Sequence, residues 1–218
     1  MRILNPYYYI LLVIYLLLSC CSTSENTQEK SSEQGQSAQS PDSNYVTQIL
    51  DGDTFVLSSG KTVRIALIDT PESGEPLYDE ASQYLTELIL GRTVTLKPRG
   101  KGVDRYGRTL AEVFIDTINV GYSILRSGMA YLYLYPENIH LKKTYLPAQI
   151  QAIKAKIGIW SLPEPVSEEY YINLKSSFRF HRPLCIYLKK ANPGNIQRIK
   201  NRYNALNRGL SPCRSCRP

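Results

Sequence analysis

Four short stretches of the chain hold residues whose chemistry can be read directly: Asp51-Gly52-Asp53-Thr54, then Arg64, then Asp69-Thr70-Pro71-Glu72, then Asp104-Arg105-Tyr106-Gly107-Arg108. Two carboxylates can hold a hard divalent cation through oxygen. Two guanidiniums can grip an anionic phosphate as bidentate forks, and a further carboxylate can take or steer the proton of a water molecule. Together these are the parts needed to cleave a phosphodiester. Asp53 and Asp69 stand sixteen residues apart, each where a strand meets a turn, so both can reach one edge of a barrel. Gly52 supplies the first turn and leaves Asp53 free for a metal, whereas Asp51 reads as an ordinary turn residue.

A second constellation lies in the tail: His181-x3-Cys185 and then, after twenty-seven residues, Cys213-x2-Cys216. One imidazole and three thiolates suit a closed, tetrahedral, structural zinc site. Disulfides between Cys213 and Cys216, or from either to Cys185, are the competing reading for an exported chain. Arg198, Arg202 and Arg208 fall between the ligand pairs and offer a nucleic-acid contact.

The elements that must position these groups follow from periodicity. Residues 45–57 alternate as a strand interrupted at Asp51-Gly52-Asp53, and residues 61–68 form a second β-branched run after Ser58-Ser59-Gly60, which together read as a hairpin. Residues 76–90 carry Leu77, Ala81, Leu85, Leu88 and Ile89 at helical spacing, with Gly91 as a stop. Residues 93–97 and 110–115 are short strands on either side of a polar loop; residues 119–128 and 142–156 read as two more helices, the second complicated by Pro147. A β-barrel-like core with three helices results, and no fixed-period repeat is present.

Charge is distributed unevenly. The net charge is +7, yet residues 45–166 carry thirteen groups of each sign, and residues 167–218 carry eleven basic against two acidic. A basic appendage on a neutral domain concentrates polyanions by a salt-dependent attraction, although a solvated basic end would look the same. At the N-terminus, Arg2 precedes the uncharged apolar residues 7–18, twelve residues where a spanning helix needs about twenty. Leu17-Leu18-Ser19-Cys20 then resembles a bacterial lipobox with Cys20 as the lipidated residue; Cys21 in a looser frame, or a plain cleaved signal, are the alternatives. The division expected is residues 1–19 signal peptide, 20–44 a lipidated and disordered tether of Ser, Gln, Glu and Asn, 45–166 a catalytic domain, and 167–218 a basic zinc-binding module.

The order of the charged motifs, with the late Gly158-Ile159-Trp160, is similar to that of the thermonuclease family, staphylococcal nuclease and its relatives, over residues 46–160. The resemblance implies an α+β, β-rich fold: an OB-fold five-stranded barrel with three helices, joined here to the small zinc module, which resembles the zinc domain of Ada-type repair proteins with His181 replacing the first cysteine. It implies calcium held by Asp53, Asp69 and the Thr70 carbonyl, Glu72 as general base or water-orienting group, and Arg64 and Arg108 on the scissile phosphate. Tyr106 matches a tyrosine that bonds a terminal phosphate. Tyr133 and Tyr135 match two that stack on the base, once a one-residue gap before Trp160 is allowed; an aromatic strand edge is the equal alternative. Trp160 reads as an anchor for the third helix.

Expected on these grounds is a calcium-dependent phosphodiesterase, a monomer tethered outside the cytosol through a lipid on a membrane. It would hydrolyse DNA and RNA with little sequence preference and leave 3′-phosphate ends. The alternatives are an inactive nucleic-acid-binding lipoprotein, or a structural lipoprotein with a zinc-stabilised end.

Overall fold

The computed structural model describes residues 43–218. The segments expected as signal peptide and tether, with Cys20, lie wholly or mostly outside the described residues.

Short alternating runs around tight turns build the barrel. Strands β1 (Val46–Ile49), β2 (Thr54–Leu57) and β3 (Thr62–Ile65) pair antiparallel in succession. β3 then pairs parallel with β6 (Thr109–Ile115), and β6 pairs antiparallel with β5 (Thr95–Val103). An antiparallel bridge from Tyr45 to Thr93 joins the two ends of the order β1-β2-β3-β6-β5, so the sheet closes on itself. This is the five-stranded barrel expected, with a two-residue strand β7 (Ile118–Asn119) added beside β6 and a separate ladder of β4 (Ile68–Asp69) with β8 (Tyr131–Leu132).

Inward residues Phe55, Leu57, Val63, Ile65, Ala111 and Val113 fill the barrel, each at 1 % exposure or less. Burying one large side chain of this kind contributes about 1.5–3 kcal/mol. Three helices cover the core. Helix α1 (Tyr78–Ile89) buries Ala81, Leu85 and Ile89. Helix α2 (Val120–Arg126) starts where the Asn119 side chain accepts the Tyr122 amide at 2.9 Å. Helix α3 (Lys142–Ala155) runs through Pro147 without ending and buries Tyr145, Ala148, Gln149 and Ala152, so packing outweighs the one lost amide bond. Glu112, an acid buried in β6, is satisfied by Arg99, Asn119 and Tyr145.

One expected boundary shifts. β5 does not stop at residue 97 but continues to Val103, with its register slipping between Pro98 and Val103. Gly100 and Gly102, both at positive φ, absorb the irregularity, so the segment expected as a loop is partly a ribbon beside β6.

Residues beyond 167 form a folded element. β9 (Tyr171–Leu174), β10 (Arg179–His181), β11 (Ile196–Ile199) and β12 (Ser211–Pro212) make a sheet in the order β11-β9-β10-β12, and a fourth helix, α4 (Arg202–Asn207), adjoins it. Its small core of Tyr171, Phe180, Ile199, Leu206 and Leu210 packs with Tyr131, Ile153 and Trp160 of the preceding region. Two bonds tie the halves: Gln149 Nε2 donates to the Leu206 carbonyl at 3.3 Å in the interior, and Arg179 Nη1 donates to that of Leu134 at 3.2 Å in a partly buried setting. Among the described residues no helix is long and apolar enough to cross a membrane.

Gly52 shows how tightly the first acidic turn is seated. A Cβ placed there would lie 2.8 Å from Ala81 Cβ and 3.0 Å from the Thr70 side chain, both too rigid to yield. Gly52→Ala is therefore expected to cost about 1–3 kcal/mol as overpacking, read as a fall in melting temperature of about 2–4 °C per kcal/mol. A melt unchanged from wild type would show that the turn is not clamped against α1.

Candidate active site and cysteine cluster

Sheet register brings the charged motifs together. Thr54 lies directly opposite Arg64 in the β2–β3 pair, so Asp53 stands beside the arginine. The parallel β3–β6 pair sets Arg64 against Leu110, which brings Arg108, two residues earlier, to the same edge. After β3 the chain turns back on itself, Arg64 Nη2 donates to the Ile68 carbonyl at 3.0 Å, and Asp69 is drawn to the same place.

At that edge Arg64 Nη2 lies 2.9 Å from Asp53 Oδ2 and 3.3 Å from Asp69 Oδ1. Two carboxylates that share one nitrogen converge on one point, and both are buried. Asp53 Oδ2 also accepts from Thr70, from Oγ1 at 3.2 Å and from the amide at 3.4 Å. The donor set is oxygen only, with Asp51 on the same cavity wall; Asp51 is pushed above the ordinary carboxylate range by burial and then by the Asp53 charge. Crowded carboxylates of this kind fit a hard cation such as calcium or magnesium. Arg64 carries the balancing charge in the arrangement seen.

Arg108 is held from two sides. Its Nε donates to Asp104 Oδ2 at 2.7 Å and its Nη1 to Thr54 Oγ1 at 3.3 Å. Thr54 Oγ1 in turn donates to Asp53 Oδ1 at 2.9 Å, so the last residue of the first motif links the metal-type acids to the second arginine. Burial pushes the Asp104 carboxyl upward, but bonds from the Arg108 side chain and from the Tyr106 and Arg108 amides outweigh it and hold the group low. Asp104 and Thr54 were given no roles from sequence. A carboxylate four residues before an arginine across a glycine turn was the available signal.

Asp53, Asp69, Arg64, Glu72, Arg108, Tyr106, Tyr133 and Tyr135 all line one cavity of about 630 Å³. Thr70 lies behind it, bonded to Asp53. Tyr106 is well exposed at the rim, with its ring beneath the guanidiniums of Arg105 and Arg108. Tyr133 and Tyr135 pack edge to face with centroids 5.2 Å apart, and Arg179 from the tail covers one Tyr133 face at 3.1 Å. Burial pushes the Tyr135 hydroxyl up to about 12, with the neighbouring Tyr133 adding to it, so it stays a neutral donor. Trp160 stacks edge-on against Tyr131 and joins the tail core, so it anchors the tail and not only α3.

His181, Cys185, Cys213 and Cys216 meet, with one ligand atom from each lying within 4.8 Å of all the others. All three cysteines are free thiols in this arrangement. His181 Nδ1 is buried with no hydrogen-bond partner, an orphaned polar atom of the kind that a metal would satisfy. Burial, followed by the Arg179 charge, lowers the His181 pKa and favours the neutral imidazole that ligates metals. The Cys216 thiol is pushed up to about 12, mainly by burial, with Cys185 and Cys213 adding to it against one bond from the Arg182 amide. Crowded thiols of this sort are costly to ionise without a cation among them, and two soft ligand types at this spacing fit zinc.

The tail arginines between the ligand pairs each have a partner within the protein, and Arg198 and Arg208 remain exposed. Arg198 lies over the Tyr170 ring, Arg202 bonds the Pro218 carbonyl and the Tyr131 hydroxyl, and Arg208 bonds Gln197. The arginine that reaches the cavity is Arg214, between the last two cysteines. Its Nε lies 3.1 Å from Asp69 Oδ2, its Nη2 bonds Asp69 Oδ1, and its Nη1 pairs with Glu72. Burial works against its charge, but Asp69 and then Glu72 keep it more firmly protonated than an ordinary arginine.

Residues 62–162 match the family model described as staphylococcal nuclease homologue. A protein of Bacillus anthracis is 36 % identical over 135 residues, covering 57 % of this chain and 63 % of that protein. An endonuclease of Escherichia coli is 36 % identical over 125 residues, 56 % of this chain and 78 % of its own length. The thermonuclease of Staphylococcus hyicus is 32 % identical over 125 residues, with coverages of 53 % and 74 %. The chain thus spans less than two thirds of the Bacillus anthracis relative, and the three matches cover little more than half of this chain.

Proposed function

The chain belongs to the staphylococcal nuclease family, and on that footing we propose that it is a calcium-dependent nuclease hydrolysing DNA and RNA phosphodiesters with little sequence preference. One observation carries the reading: Arg64 touches both Asp53 and Asp69 while Arg108 and Glu72 line the same cavity. Acids for a cation, forks for a phosphate and a base for water are thereby gathered around one space.

Arg64 and Arg108 grip the non-bridging oxygens of the scissile phosphate, and Asp104 and Thr54 keep Arg108 from turning away. Glu72 orients a water and takes up its proton as the water oxygen bonds phosphorus in line; the bond from phosphorus to the 5′ oxygen breaks, that oxygen takes a proton from a solvent water, and Glu72 returns its own proton to solvent. Both guanidiniums are fixed where negative charge grows, which is commonly the largest catalytic contribution. Calcium held by Asp53, Asp69 and the Thr70 carbonyl would add charge neutralisation on the phosphate and ease deprotonation of water. Tyr133 and Tyr135 offer faces and edges to a base without reading its identity.

The same proposal gives the His181, Cys185, Cys213 and Cys216 cluster a structural zinc. It also takes the protein to be an exported lipoprotein anchored through Cys20. The support for that part is the residue order at the N-terminus alone.

The test is cleavage of single-stranded DNA and RNA by wild type and Glu72→Gln, with calcium and with a calcium chelator. Wild type is expected to cut both only with calcium, and the variant to be slower by about 10²–10⁴-fold, the usual span for a lost general base. Activity that survives chelation would remove the metal from the mechanism. A variant as fast as wild type would remove Glu72.

A further inference from the structure

Arg214 belongs to the tail, lies outside the segment matched by the family, and yet places three nitrogens on Asp69 and Glu72. Its backbone has little freedom to be elsewhere. It sits inside Cys213-x2-Cys216, where the Cys213 amide donates to the Phe180 carbonyl at 3.0 Å, Arg182 Nε donates to the Cys216 carbonyl at 2.9 Å, and the Arg217 amide closes the turn on Cys213 at 2.9 Å. A metal on the four ligands would fix the turn further. Arg214 also borders two cavities: the one of about 630 Å³ already described, and an adjoining one of about 250 Å³ that carries Arg202 and Arg217.

Arg64 shows how to read such a pairing. It too rests on metal-type carboxylates, in a cavity whose facing acids, Asp53, Asp69 and Glu72, need cationic partners. Asp53 and Asp69 would be neutralised by a divalent ion if they held one, and both guanidiniums would then have donors to spare for an entering anion. Arg214 and Arg64 thus share Asp69 as a partner at the wall of one cavity.

We propose that Arg214 is a third phosphate-binding residue of this nuclease site, presented by the cysteine cluster, and that it grips the phosphate adjoining the scissile one on the side of the second cavity. The proposal rests on the nuclease reading for the identity of the ligand. It makes occupancy of the tail cluster a determinant of substrate affinity in a site over a hundred residues away in sequence.

The experiment compares wild type, Arg214→Ala, Arg214→Lys and the control Arg126→Ala, an exposed residue at the end of α2 that lines neither cavity, in saturating calcium. KM and kcat are measured on a short single-stranded oligonucleotide. Calorimetric affinity is measured for a nucleoside 3′,5′-bisphosphate, which offers two adjoining phosphates and no diester to cleave. Arg214→Ala is expected to raise KM and weaken the bisphosphate about ten- to a hundredfold, the usual loss of a charge-assisted contact, with kcat changed less. Arg214→Lys should fall between, because it keeps the charge and loses the fork, and Arg126→Ala should match wild type. Cys216→Ser should reproduce the KM defect in the wild-type background and add nothing to Arg214→Ala. Unchanged KM and affinity in Arg214→Ala overturn the proposal, as does a variant with raised activity and a lower calcium requirement, since Arg214 would then be a plug. Weakened bisphosphate binding in a protein that fails to cleave would uphold Arg214 while defeating the nuclease reading.

Discussion

Arg64→Ala is expected to lower kcat by about 10²–10³-fold, the loss typical of one preorganised group removed from a developing charge. Its effect on stability should be as diagnostic. Arg64 is 12 % exposed and its two partners 6 % and 8 %, so the variant strands buried carboxylates. Breaking such a pair usually costs about 3–5 kcal/mol. The lower end applies here, because Thr54, Thr70 and Arg214 still serve the same oxygens. The melting temperature should then fall by about 6–12 °C without calcium, at about 2–4 °C per kcal/mol. Added calcium should restore more of it than it adds to wild type, because the ion replaces the missing charge. Thermal melts with and without calcium read this directly, and a variant that melts and responds like wild type would mean that the two acids do not form a cation site.

Removing the metal expected at the tail cluster should have the second large effect. Ligand binding and folding are one free energy in small zinc modules, about 10–16 kcal/mol in isolated peptides. Cys213→Ser should abolish a stoichiometry of one zinc per chain and speed hydrogen exchange in β9 to β12 by at least about a thousandfold, while the core of β2, β3 and β6 keeps its protection. Metal analysis and exchange mass spectrometry measure both. Tail amides equally protected with and without metal, or no zinc in the purified protein, would refute the assignment.

Much of the first site is legible because its parts are local. Asp-Gly-Asp forces a turn, the β-branched runs on either side force antiparallel strands, and register then fixes Thr54 across from Arg64. The four ligands of the second site are legible for the same reason, since type and spacing alone suggest a tetrahedral site. What failed to show was whatever depends on a neighbour distant in sequence. Pro98 and the glycines at 100 and 102 look like loop until β6 supplies the partner that extends β5 to Val103. The partners that Arg198, Arg202 and Arg208 find in Tyr170, Tyr131 and Gln197 are likewise invisible in the spacing. Arg214 looks like one more tail charge until the fold sets it on Asp69.

That last contact joins residues 145 positions apart, whereas the β1–β2–β3 hairpins close over a few residues each. Closure entropy rises with the length enclosed, and long-range contacts form only after shorter ones have narrowed the search. Arg64 and the acids are therefore expected to come together with the barrel before the tail closes Arg214 onto Asp69, an order that pulse-labelled hydrogen exchange in β2, β3 and β9 to β12 would read. A chain caught between those stages would hold the acids without the Arg214 contact, so the completeness of the site would report on closure of the tail.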